Sequence, residues 1–366
     1  MTLKILIAGG GTGGHLMPAL AIADAVRAAR PDIEPVLVGA TRGIETRILP
    51  TRPYRYHLLP AEPIYRRQWW KNARWPFIAF NLLREMRKVL DQEQPALVLG
   101  TGGYASGPLV WLAARRRIPT AIQEQNAFPG LATRQLAKRV RQVYLGLPEG
   151  REHLRMGRRT QAFDTGNPIT PPDAARRNTA REKFKLMPWQ KVLLVTGGSQ
   201  GSLAINQAIG GWIDSGEAKD IAILWATGRA SYEEFARYHR PPKVQVFDFL
   251  DPMADGMAAA DLVVARAGAI TIAEICAWGL PSILVPLPTA AADHQTHNAR
   301  ALALAGAAKH LPQSNLTVES LGTTISTTLL RDDLRQAMSR AALARGKPDA
   351  ARDIVNHLLG LLGQPR

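Results

Sequence analysis

Only one cysteine, Cys276, occurs in 366 residues. An internal disulfide framework is excluded, and the apolar run IAEICAWG around Cys276 reads as core packing in a reducing compartment, the cytoplasm. Long hydrophobic runs are missing too: none approaches the roughly 18 residues of a membrane-spanning helix. MTLKILIAGG opens the chain as a buried strand and lacks the layout of a signal peptide. No Asp-x-Asp motif is present. A transferase that bridges a nucleoside diphosphate through a divalent cation uses clustered carboxylates, so metal-independent chemistry is expected, with helix termini neutralising a leaving diphosphate. His294 and His297 share a loop, but no further His/Cys ligand set joins them and no metal site is expected. Acidic residues are scarce relative to basic ones, 30 against 46, a formal charge of +16. Residues 1–165 hold 25 Lys and Arg against 12 Asp and Glu, and the rest hold 21 against 18. The basic surface therefore belongs to the first half and should face something anionic, a nucleic acid or a membrane surface.

The chain repeats its own opening. KILIAGGGTGGH begins at Lys4 and KVLLVTGGSQGS at Lys191, with Gly10, Gly11, Thr12 and Gly14 falling on Gly197, Gly198, Ser199 and Gly201. Each copy is a β-branched and leucine-rich run, a glycine loop and a helix-like stretch, the start of a doubly wound unit. EPVLVG, PALVLG, TAIQEQ and VYLG follow the first copy as short buried strands; IAILWATG, KVQVFDFL, ADLVVARAG and PSILVPLP follow the second. The fold class expected is α/β, with two Rossmann-like domains facing a cleft. The first covers 1–165, with 341–366 crossing back to it as a helix, and the second covers 166–340. The boundary lies near GNPITPPD, where Pro168, Pro171 and Pro172 break regular structure.

Gly9, Gly11 and Gly14 satisfy G-x-G-x-x-G, which raises a dinucleotide cofactor. That reading wants an acid after the second strand. Ala40, Thr41 and Arg42 stand there instead, and Arg42 suits a 2′-phosphate, so an NADP-dependent oxidoreductase stays open. GTGGYASGP (100–108) and TGGSQGS (196–202) add two loops of the same kind, each aiming backbone N–H groups and a helix dipole at one point. Several such loops can hold two different phosphorylated molecules, as a transfer between two diphosphates needs. Gly102, Gly103 and Tyr104 are the acceptor-side candidates. Near the end of the second domain, Gly268 closes a strand, Ala269, Ile270 and Thr271 begin a helix, and Glu274 follows about a turn later. A carboxylate there can accept both hydroxyls of a ribose while the helix terminus faces a diphosphate. Asp293, Gln295 and Asn298 offer groups suited to sugar hydroxyls.

GGGTGGHLMPALAIA, GTGGYASGP, QEQNAFPG, TGGSQG, RAGAITIAE and HQTHNA, in this order between residues 9 and 299, resemble the peptidoglycan N-acetylglucosaminyltransferases that convert lipid I to lipid II. The resemblance implies a GT-B fold, the donor UDP-N-acetylglucosamine held mainly by the second domain, inversion at the anomeric carbon, and an undecaprenyl-diphosphoryl-muramoyl-peptide acceptor. It implies no cofactor, no nucleic-acid partner, and a peripheral position on the cytoplasmic face of the inner membrane. Carried over by motif, Thr12, Gly13 and Gly14 form a donor-contacting loop and Asn126 lies near the transferred sugar. Ser199 binds the donor diphosphate, and the backbone of Leu250 meets uracil. Ala269, Ile270 and Thr271 form the diphosphate turn, Glu274 takes the ribose, and Gln295 takes a sugar hydroxyl. Two positions depart from the family pattern: Thr170 stands where an arginine is common, and Ala267 where a serine is. Single-displacement transfer needs a base for the acceptor proton; His15, at the mouth of the first loop, is the candidate, with Glu124 as the alternative.

IYRRQWWKNARWPFIAFNLLREMRK (64–88) interleaves Trp69, Trp70, Trp75, Phe77 and Phe80 with Arg66, Arg67 and Lys71, among other cations. Rings at headgroup level beside charges on anionic lipid make an interfacial segment, and Trp111 and Arg115–Arg117 extend it. The same composition can stack on single-stranded nucleic acid, which leaves a basic nucleic-acid-binding protein as another class.

Overall fold

The computed structural model describes residues 2–62 and 75–363, apart from the Trp75 side chain. Arg66, Arg67, Trp69, Trp70 and Lys71 lie outside the described residues. The chain forms two compact units, residues 1–169 with 349–366, and residues 170–348.

Unit 1 is built on seven parallel strands: β1 (Leu3–Gly9), β2 (Ile33–Ala40), β3 (Tyr56–Leu59), β4 (Leu97–Gly102), β5 (Thr120–Glu124), β6 (Gln142–Leu145) and β7 (Gln161–Phe163), in the order β3-β2-β1-β4-β5-β6-β7. Its helices are α1 (Gly13–Ala29), α2 (Glu45–Ile48), α3 (Trp75–Glu93), α4 (Ser106–Arg115) and α5 (Leu131–Leu136). The central strands are apolar on both faces because helices cover both. Side chains alternate along β1: Leu6 and Ala8 face Met86 of α3 and Leu109 of α4, whereas Ile5 and Ile7 face Leu16 and Leu20 of α1.

Unit 2 repeats the plan with β8 (Lys191–Thr196), β9 (Ile221–Ala226), β10 (Val244–Phe247), β11 (Leu262–Ala265), β12 (Ser282–Leu284) and β13 (Ala308–His310), ordered β10-β9-β8-β11-β12-β13 and all parallel. Its helices are α6 (Arg176–Lys183), α7 (Leu203–Asp214), α8 (Tyr232–Phe235), α9 (Met253–Ala259), α10 (Ala269–Ala277), α11 (His294–Leu304), α12 (Val318–Leu330) and α13 (Asp332–Arg345). Trp212 and Trp225 are fully buried in its core.

The last helix, α14 (Ala350–Leu362), belongs to unit 1 as well. The chain rejoins unit 1 at Asp349 rather than near Ala341, because α13 still packs on α10 of unit 2. Ile354, Val355, Leu358 and Leu361 form one helical stripe buried against the α1 face of the sheet. His357 stacks on Phe163 of β7 at 3.8 Å between ring centroids. In each sheet the strand order reverses beside the first strand, between β1 and β4 and between β8 and β11. Ligands bind doubly wound sheets at the carboxyl ends of the strands there. The glycine loops leave the sheets at those two points.

Candidate active site

At the switch point of unit 1 the loops after β1 and β4 lie against each other. The Gly10 N–H donates to the Gly102 carbonyl at 3.3 Å. Gly103 has φ +93°, and a Cβ there would stand 2.2 Å from the Gly10 carbonyl oxygen, so only glycine allows this approach. The exposed Tyr104 ring lies over Gly11. His15 is in the first turn of α1, and its ring rests on Gly102, where a Cβ would meet Cδ2 at 2.5 Å. Its Nδ1 is 3.3 Å from the Gly10 carbonyl oxygen and 3.3 Å from Thr12 Oγ1. A carbonyl only accepts, so the bond to Gly10 requires the proton on Nδ1 and puts the basic lone pair on Nε2. His15, Thr12, Gly13, Gly14, Gly102, Gly103 and Tyr104 thus gather at one place. No side chain caps the start of α1; the His15 N–H turns back to the Thr12 carbonyl at 3.2 Å, and the N–H groups of Gly13 and Gly14 donate to no described residue.

Beneath these loops runs a buried polar chain. Gln123 Nε2 donates to Asn167 Oδ1 at 2.8 Å, Asn167 Nδ2 to the Gln125 carbonyl at 3.0 Å, and Gln125 Nε2 to the Thr101 carbonyl at 2.7 Å. Thr101 Oγ1 completes the chain by donating to the His15 carbonyl at 2.8 Å. It ties GTGGY, QEQN and GNP to the backbone of His15. Glu124 accepts the Asn126 N–H at 3.1 Å, Asn126 Nδ2 at 3.2 Å and the Gly130 N–H at 3.0 Å. Both carboxylate oxygens therefore hold the loop carrying Asn126 and Gly130, the residue just before α5. Sequence reasoning passed over Thr101, Gln123, Gln125 and Asn167. The available signal was the run of amides in TAIQEQ, polar groups in an otherwise apolar strand that need buried partners.

Glu45 was missed as well. It is fully buried at the start of α2, and both its oxygens accept the Gly11 N–H at 2.9 Å. Its Oε1 also accepts the Ala40 N–H at 2.9 Å. An acid does follow β2, but it faces inward and holds the glycine loop. The Gly11 N–H is committed to it, whereas a dinucleotide fingerprint presents its loop to the pyrophosphate and its acid to a ribose.

In unit 2, α10 begins at Ala269 immediately after Gly268, with no acidic residue in its first turn and no side chain capping it. Glu274 lies one turn in, half-buried. Its carboxylate makes no hydrogen bond or ion pair with any described residue, and burial pushes its pKa up to about 7. Gln295 Oε1 accepts the Leu287 N–H at 3.0 Å, which fixes the side chain. Asn298 is buried, and its Nδ2 donates to the Ala267 carbonyl at 3.1 Å. Ala292 and Asp293, before α11, both adopt left-handed backbone, φ +52° and +54°. Ser199 is exposed in the loop after β8, beside Gly198. The Leu250 side chain packs on Gly256 of α9, holding its backbone where β10 ends. Arg266, not singled out from sequence, is buried and donates to the Val285 and Pro286 carbonyls at 3.2 and 2.9 Å and to Gln313 Oε1 at 2.7 Å. It braces the strand end from which α10 starts. Thr170 is exposed as the first residue of unit 2, and Ala267 is fully buried.

Of the aromatic segment, Phe77 and Phe80 are described, 70% and 64% exposed near the start of α3. Trp111 is partly buried against the core, with Arg115 over its ring at 4.9 Å. No helix among the described residues is long and apolar enough to cross a membrane.

Residues 5–145 match the glycosyltransferase family 28 N-terminal domain and residues 192–354 the family 28 C-terminal domain. The chain is 39% identical over 370 residues to the UDP-N-acetylglucosamine–N-acetylmuramyl-(pentapeptide) pyrophosphoryl-undecaprenol N-acetylglucosamine transferase of Salinibacter ruber, covering 99% of this chain and 98% of that one. It is 36% identical over 362 residues to the protein of the same name from Clostridioides difficile, covering 98% and 88%. Among solved structures it is similar to Acinetobacter baumannii MurG, with a TM-score of 0.78 at 27% identity over 98% of this chain and 100% of that one. The fold is GT-B. With both domain models matched and full-length identity of this order, the chain belongs to glycosyltransferase family 28 and, within it, to the family of the pyrophosphoryl-undecaprenol N-acetylglucosamine transferases.

Proposed function

We propose that this chain moves N-acetylglucosamine from UDP-N-acetylglucosamine to the muramoyl sugar of an undecaprenyl-diphosphoryl-muramoyl peptide, with inversion. The reaction is the one named for its relatives. The observation carrying the mechanism is His15, held between two glycine loops with Nδ1 on a carbonyl and its lone pair on Nε2. The acceptor hydroxyl oxygen attacks the anomeric carbon while its proton passes to Nε2. The bond from that carbon to the donor phosphate breaks, and UDP leaves with the electron pair. Ala269, Ile270 and Thr271 offer N–H groups to the leaving diphosphate, Ser199 adds a hydroxyl, and Glu274 accepts the ribose hydroxyls. Leu250 meets uracil through its backbone, and Gln295 and Asn126 orient the transferred sugar. Gly102, Gly103 and Tyr104 receive the acceptor diphosphate. This neutralisation needs no metal ion, and turnover should continue in excess EDTA.

The acceptor's lipid cannot leave the bilayer, so unit 1 works at an anionic membrane surface on the cytoplasmic side, peripherally. Exposed Phe77 and Phe80 beside the cations of α3 support that contact. The test is His15→Ala with a short-chain, water-soluble acceptor. We expect kcat to fall by about 10²–10⁴-fold while the Kd for UDP is unchanged. A loss confined to KM would make His15 a binding residue and return the role of base to Glu124.

A further inference from the structure

A second basic feature of unit 1 lies on the opposite edge of the sheet from the glycine loops. A cavity of about 700 Å³ opens at the amino ends of β5, β6 and β7. Arg117, Lys138, Arg139, Arg141, Arg158 and Arg159 line it, and among the described residues no carboxylate does. These cations come from three separate connections, α4 to β5, α5 to β6, and the turn before β7. The length of β5, about 17 Å at about 3.3 Å per residue, separates them from the loop carrying Asn126.

None of the six side chains makes a hydrogen bond or ion pair with a described residue. Neighbouring arginines behave differently. Arg116 is paired with Asp91 at 2.5 Å, and Arg151 with Asp164 at 3.0 Å. Those carboxylates are committed outside the cavity, so no described carboxylate offsets the repulsion among its cations. Arg117 also takes the left-handed position that follows α4, φ +60°, where glycine is the usual residue. Ala114, Ile118, Val140 and Leu361 give the cavity an apolar floor, and Thr120 and Thr160 add polar groups.

We infer that this cavity binds a multiply charged phosphate compound, at a site separate from those of donor and acceptor. Five of the six cations are arginines, whose planar forks match phosphate oxygens two at a time. The volume falls in the range of small-molecule sites, and a polyanion relieves the repulsion that the described residues leave uncompensated. The compound is either soluble or a lipid headgroup whose chain follows the apolar floor.

The test is calorimetric titration of the full chain with inorganic tripolyphosphate, with UDP held at saturation so that the nucleotide site is occupied. Arg158→Gln with Arg159→Gln, and separately Lys138→Gln with Arg139→Gln, change exposed side chains. Each pair should weaken tripolyphosphate binding at least tenfold and leave UDP binding unchanged. Arg52→Gln with Arg155→Gln removes equal charge outside the cavity and should leave both unchanged. Flotation with phosphatidylglycerol vesicles, with and without tripolyphosphate, identifies the source. Competition that the cavity variants abolish indicates a headgroup, and flotation indifferent to the variants indicates a soluble compound. Absence of saturable tripolyphosphate binding, or equal weakening in the control pair, would overturn the site.

Discussion

Two carboxylates show how far burial alone and burial with partners diverge. The Glu274 carboxylate has no partner among the described residues, and desolvation raises its pKa to about 7. Glu93 is buried too, which opposes ionisation, but hydrogen bonds from Lys4, His57 and Arg55 outweigh this and hold it at about 2. If ribose hydroxyls donate to Glu274, UDP binding favours the ionised form. The Kd for UDP should therefore fall as pH rises through about 7 and then level off. Glu274→Gln should bind UDP more weakly and lose that part of the pH dependence; it also supplies the baseline for titration of the UDP phosphate itself. A wild-type profile parallel to the variant's would remove Glu274 from the ribose. For Glu93 the pKa shift runs the other way. Its folded pKa lies below the ordinary value of 4.5, so it stabilises unit 1 above that pH, and the contribution disappears as pH falls towards 2. The effect is of order 3 kcal/mol. Hydrogen exchange in β1 and β4 should show this acid-dependent loss in the wild type and its absence in Glu93→Gln.

Among the elements, α3 carries two opposed faces. Leu82, Met86, Val89 and Leu90 recur at helical spacing and are buried, whereas Phe77, Phe80, Arg84, Arg87 and Lys88 are exposed. The inward stripe explains why the helix packs on the sheet, and the outward one is left exposed. Phe77→Ser with Phe80→Ser should reduce flotation with anionic vesicles, and raised salt should weaken what remains. Turnover of a water-soluble acceptor should stay near the wild-type rate. Undiminished flotation would take α3 out of the membrane contact. The helical period was legible because one residue in three or four repeats; the aromatic segment ahead of it lies outside the described residues.

At the scale of the molecule, α14 completes the core of unit 1 although the whole of unit 2 precedes it in the chain. Ending the chain at Pro348 removes Val355 together with Ile354, Leu358 and Leu361, and each of the last three costs about 2–5 kcal/mol when truncated singly in a core. Exchange protection of β1 and α1 should collapse while β8 and β11 keep theirs; equal loss in both units would mean that they unfold as one. The sequence by itself determined the two parallel sheets, their glycine loops and the positions of His15 and Glu274, because these depend on local pattern: buried strands two-sided in apolar residues, glycines where backbones meet, a helix begun directly after a strand. Only the tertiary structure decided that Glu45 turns inward to the first loop, that Glu124 holds Asn126 and Gly130, that Gln123 and Gln125 reach Asn167 and Thr101, and that cations from three connections surround one cavity. A carboxylate, an amide or a guanidinium takes its role from its partners and its distance from water, and those are set by segments tens of residues apart that meet only when the sheet assembles.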